Sequence, residues 1–96
     1  MKRGIWVLGL LITAPAAADE PPRLDTRPAC LARTSDATDF AECQRSEESY
    51  RLRLSTRWRA LPDFRKHFCE QSVAFQKPSK QSYSALAACL GDPASS

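Results

Sequence analysis

The sequence predicts a small all-α fold, a disulfide-stapled stack of helical hairpins with three to four helices. Three observations carry this. Apolar residues recur at three- and four-residue steps over most of the chain, no segment alternates with the period of a strand, and four cysteines stand at Cys-x12-Cys-x25-Cys-x19-Cys spacing. With 96 residues, the chain is one domain at most, which excludes a multidomain enzyme.

The first element is read as a leader and not as part of the fold. Met1, Lys2 and Arg3 give a positive start, Ile5 to Ile12 is an apolar run, and Ala16-Ala17-Ala18 offers a small-residue cleavage site. Residues 1–18 therefore read as a signal peptide. The run stops at Asp19-Glu20, short of the roughly 20 apolar residues that a bilayer span needs. The first cysteine is Cys30, too far from the cleavage point to accept a lipid. The expectation is a periplasmic or secreted protein with no membrane span once the leader is removed. Its charge falls from +3 to +1 when Lys2 and Arg3 leave, so the basic total does not imply a nucleic-acid partner.

Residues 19–27 are rich in proline and polar side chains and read as a disordered or extended lead-in. The four-cysteine domain is expected over 28–92, followed by a flexible tail at 93–96. Pro28 suits the first position of a short helix carrying Cys30 and Leu31. Thr34-Ser35-Asp36 then makes a polar turn. Asp39, with Glu42 three residues on, resembles an N-cap and its reciprocal partner, and it opens the strongest helical stretch. Phe40, Cys43, Tyr50, Leu54, Trp58 and Leu61 form its stripe, with Glu47 as the single polar interruption.

Pro62 ends or kinks this helix, and Leu61, Phe64, Phe68 and Cys69 predict the apolar stripe of a second one. Gln76-Lys77-Pro78-Ser79 breaks the pattern again. Ser79 is expected to cap a last helix, with Tyr83, Leu86, Ala87, Cys89 and Leu90 inward and Gly91 as its stop.

Four cysteines allow three pairings, and helix geometry ranks them. If consecutive helices fold back, residues equidistant from a turn face each other. Cys30 and Cys43 lie six and seven residues either side of Asp36, and Cys69 and Cys89 nine and eleven either side of Pro78. Cys43 and Cys69 stand unequally about the Leu61 turn, an axial mismatch of roughly 15 Å against a Cα limit near 7 Å. The predicted bridges are Cys30 to Cys43 and Cys69 to Cys89. Zinc is not expected, because the spacings contain no short Cys-x2-4-Cys knuckle and there is one histidine.

No cofactor and no catalytic constellation is expected either. His67 lies in a run of cations, Arg65-Lys66-His67, and reads as a solvated imidazole. There is no Gly-rich phosphate loop and no Gly-x-Ser-x-Gly elbow. Asp36, Asp39, Glu42, Glu47 and Glu48 concentrate early in the long helix, where they complement its dipole.

The positive feature runs from Arg51 to His67, with six Lys and Arg against the single acid Asp63. Arg53, Arg57, Trp58, Arg65 and Lys66 are the candidate residues for binding an anion or a partner, since guanidinium groups beside an aromatic face suit an anionic or sugar-bearing ligand. The competing reading makes the arginines solvated flanks of an amphipathic helix, with Trp58 in the core.

Cys43 early on a long helix, Tyr50, Trp58, Arg65-x3-Cys69 and the closing segment from Ser82-Tyr83 to Cys89-Leu90 resemble small exported four-cysteine helical proteins of Gram-negative bacteria. Those proteins are distantly similar to LprI-type lysozyme inhibitors. The resemblance covers most of Cys30 to Leu90 and rests on framework positions, so it implies the exported helical fold and no inhibitory residue. The leading expectation is a non-catalytic interaction module for an anionic cell-envelope component or a protein partner, and the alternative is a lysozyme-inhibitor-like protein.

Overall fold

A computed structural model describes residues 20–91, so the leader read over 1–18 and the tail read over 93–96 lie outside the described residues. Within them the chain forms four α-helices and two short 3-10 turns, with no strand. The fold is all-α.

Helix α1 spans Arg27–Arg33, with Pro28 in its first turn, and buries Ala29 and Cys30. Helix α2 spans Ala37–Arg57. Its N-cap is Asp36 and not Asp39: the Asp36 carboxylate accepts the Asp39 N–H at 2.9 Å. Two acids three residues apart both fit the capping pattern, and the turn decides between them. The Thr34 hydroxyl accepts the Asp36 N–H at 3.0 Å, which fixes Asp36 in the extended conformation a cap requires. At its far end α2 tightens into a 3-10 turn over Trp58–Ala60, and Leu61 leaves in extended form ahead of Pro62.

Helix α3, Asp63–Ala74, starts directly after Pro62. A second 3-10 turn covers Pro78–Lys80 and leads to α4, Tyr83–Leu90. Ser79 belongs to that turn. The cap of α4 is Ser82, whose hydroxyl accepts the Ala85 N–H at 3.0 Å. Gln81 closes the end of α3 instead, its amide donating to the Gln76 carbonyl at 2.8 Å. Gly91 ends α4 at φ 81°, the left-handed conformation that favours glycine at this position.

Both predicted disulfides are present, each with a Cα separation of 5.7 Å. Cys30–Cys43 ties α1 to α2, and Cys69–Cys89 ties α3 to α4. The two tied hairpins meet because α4 packs against both α2 and α3. The core is built there, from Leu54 and Trp58 of the α2 arm, Cys69 and Val73 of α3, and Tyr83, Leu86, Ala87 and Leu90 of α4.

Besides the two caps, one further expectation is corrected. Phe64 and Phe68 do not continue the inward stripe; Lys66, Cys69 and Val73 are the buried residues of α3, and both phenylalanines face outward. Spacings of three and seven put Lys66, Cys69 and Val73 on one side of the helix, and Cys69 has to face its partner on α4. The proline-rich lead-in, read as disordered or extended, is extended from Pro21 to Thr26 and tied to α4. The Tyr83 hydroxyl donates to the Pro22 carbonyl and accepts the Leu24 N–H, both at 2.9 Å, and Leu24 packs on the core.

Candidate functional site

Glu47 departs most from the sequence reading. Its place among the acids early in α2 suggests a role in that helix's dipole, yet it is buried, with its carboxylate at the start of α4. Its carboxylate accepts the backbone N–H of Tyr83 at 2.6 Å and of Ser84 at 3.3 Å, and the Ser84 hydroxyl at 2.8 Å. The Arg33 guanidinium stands 3.6 Å away. The dipole it serves is that of α4, whose first N–H groups lack partners within their own helix. Arg33, so engaged, also lines an open cleft between α1 and α4 with Lys80, Ser82 and Ser84.

The candidate residues divide between floor and surface. Trp58 is 1% exposed. The Lys66 ammonium lies 5.6 Å from the centre of its ring and donates to the Trp58 carbonyl at 3.0 Å. The Asp63 carboxylate is 3.3 Å from the same ammonium. Lys66 therefore places a positive charge on a carbonyl at the C-terminal end of the α2 arm, where the helix dipole favours a cation. Trp58 and Lys66 come together as the junction between α2 and α3, beneath the surface. Replacement of Lys66 by methionine keeps the aliphatic stem and removes the donor. It should lower stability by about 1–3 kcal/mol in urea denaturation, whereas Arg65→Met should stay within about 0.5 kcal/mol.

Arg53 and Arg57 lie on the last turns of α2, where Arg53 stacks over the Tyr50 ring at 4.7 Å. Arg51 grips Glu48 through two nitrogens, at 3.1 and 2.5 Å. That hydrogen-bonded pairing holds the Glu48 carboxyl below its ordinary value and raises Arg51. Arg65 is on the outer side of α3, where with Phe64, Phe68 and the Cys69–Cys89 bridge it lines a shallow groove of about 250 Å³.

Charge is divided along the chain. Residues 20–50 hold seven acids against four Lys and Arg, whereas residues 51–91 hold eight Lys and Arg against two acids, Asp63 and Glu70. Arg65 and its two phenylalanine neighbours thus sit in the basic half. Sequence reasoning missed Phe64 and Phe68 as surface residues, although a signal was present: Cys69, Lys66 and Val73 share a side of the helix that neither phenylalanine shares, and a bridge from Cys69 to α4 turns that side inward.

Among the described residues no cluster of three or more His, Cys, Asp and Glu side chains could hold a metal ion. All four cysteines are oxidised, which points to a non-cytoplasmic location. No described helix is long and apolar enough to cross a membrane. Comparison with protein-family profiles, with curated proteins and with solved structures finds no match to this chain.

Proposed function

We propose that the protein is a non-catalytic periplasmic or secreted interaction module that engages an anionic component of the cell envelope through its basic half. The single observation behind this reading is the outer face of α3, where Arg65 stands beside the exposed Phe64 and Phe68, within a chain segment, residues 51–91, that carries eight Lys and Arg against two acids. Guanidinium groups beside aromatic surface offer an anionic ligand both charge and apolar contact. The leader read over residues 1–18 and the two bridges support export. A non-catalytic role is supported by how the reactive groups are used: the thiols are in disulfides, and the buried Glu47 carboxylate is occupied by the start of α4.

The test is capture of envelope components by the oxidised protein from a cell-envelope extract, identified by mass spectrometry. Triple charge reversal at Arg53, Arg57 and Arg65 should lower capture at least about tenfold while the helical circular dichroism is kept. Lys66 is left intact because its charge is internal. Capture that is unchanged by the reversal would reject the reading. Loss of muramidase activity when the parent protein is mixed with lysozymes would replace it with the inhibitor alternative.

A further inference from the structure

Helix α3 carries a second stripe that the core does not use. At 100° per residue, Phe64 and Phe68 of the helix and Phe75 at its C-cap fall within an arc of about 40°, opposite the centre of the buried set Lys66, Cys69 and Val73. The three rings are 79%, 60% and 83% exposed. They run for about 16 Å along the helix, and they account for three of the four phenylalanines in the chain. Exposed apolar residues standing singly, such as Leu31 and Leu52, are ordinary. An aligned row of aromatics on one helix face marks an interaction surface.

We infer that this face of α3 docks on an anionic lipid bilayer, with the three rings entering the headgroup region. The inference rests on the reading of the protein as a module for an anionic envelope component, and it names that component as lipid. Charge complementarity is the first reason. Arg65 stands beside the first two rings and Lys77 follows the last by two residues. Of the two acids in residues 51–91, Asp63 is paired with Lys66, and Glu70 is half-buried on the inner flank of the helix. An apolar helix face bordered by cations in this way is the pattern of helices that lie in the membrane interface.

Shape is the second reason. The row runs along the outer side of one helix and stays exposed from end to end, with only a shallow groove beside its first two rings, so it suits an extended deformable surface. Pairing with a second copy through this face is disfavoured, because a two-fold contact sets the face that carries Arg65 against the same face of the other chain.

The experiment is co-sedimentation of the processed, oxidised protein, its mass showing that residues 1–18 are absent, with vesicles of phosphatidylcholine alone or with phosphatidylglycerol added. Binding to the anionic vesicles should exceed binding to the neutral ones by more than about tenfold and weaken as salt is raised. The triple variant F64S/F68S/F75S should lose binding by at least about tenfold while keeping its helical spectrum and thermal transition, since all three positions lie outside the core. Equal binding by parent and triple variant would overturn the inference. So would a parent that ignores vesicles yet captures a soluble anionic component from envelope extract, an outcome that leaves the module reading intact. A parent that binds neither would remove both. Association in analytical ultracentrifugation that the triple variant abolishes would assign the stripe to a second copy instead of a bilayer.

Discussion

Reduction of the two disulfides is expected to unfold the protein. The bridges close segments of 13 and 20 residues, and each is worth about 3 kcal/mol in the chain-entropy account. A domain of this size has a folding margin of roughly 4–10 kcal/mol, so losing both takes most or all of it. The bridges also carry structural contacts: Cys30 and Cys69 are fully buried, and Cys69 belongs to the central cluster with Leu54 and Trp58. In far-ultraviolet circular dichroism, addition of dithiothreitol should remove most of the helical signal and abolish the cooperative melt. A reduced protein that keeps both would show that the helices hold together without the ties. Single-bridge serine pairs should rank the two, the Cys69/Cys89 variant being the less stable because its bridge joins the helices that enclose the core.

Substitution of Glu47 is the next largest expected effect. Alanine removes a carboxylate that accepts from two backbone N–H groups and one hydroxyl at the start of α4, and that also faces Arg33. The Tyr83 N–H stays buried without a partner and the Ser84 N–H loses its acceptor, each at a cost of about 1–3 kcal/mol, and the Arg33 contact goes as well, so Glu47→Ala should cost about 3–5 kcal/mol in total. Glu47→Gln keeps an acceptor oxygen and loses the charge that favours the helix start, and should cost less, about 1–2 kcal/mol. Urea midpoints of the oxidised proteins measure both. Equal losses for the two variants would mean that charge and geometry at this cap do not matter separately, and a neutral alanine would remove the cap assignment altogether.

Glu47 also shows where the sequence stops being legible. As an interruption in the stripe that runs from Phe40 to Leu61, it has the spacing of an inward residue and the chemistry of an outward one. What resolves the conflict is the first turn of α4, 36 residues away in the chain, which supplies donors to a buried acid. The same holds for Lys66. In its run with Arg65 and His67 it reads as a surface cation able to bind an anion, whereas its ammonium is held inside by the Trp58 carbonyl.

The capping residues were displaced by three positions for a related reason. Asp36 and Asp39, like Ser79 and Ser82, are both chemically able to cap; the Thr34 hydroxyl in the turn holds Asp36 as the cap of α2, and the 3-10 turn over Pro78–Lys80 takes up Ser79 and leaves Ser82 to cap α4.

By itself, the sequence determined the helical class, the breaks at Pro62, Pro78 and Gly91, and which cysteines join. These follow from local rules: helical periodicity, the conformational limits of proline and glycine, and the fixed rise per residue that sets facing positions across a turn. Only the tertiary structure decided which side of α3 is buried, that Tyr83 holds the extended lead-in, and that Glu47 and Lys66 are interior. The sequence set Phe64 and Phe68 on one stripe with Cys69, and the bridge between Cys69 and Cys89, a constraint that acts between helices, turns Cys69 inward with Lys66 and Val73 instead. The row of phenylalanines left outside is the physical consequence of that choice.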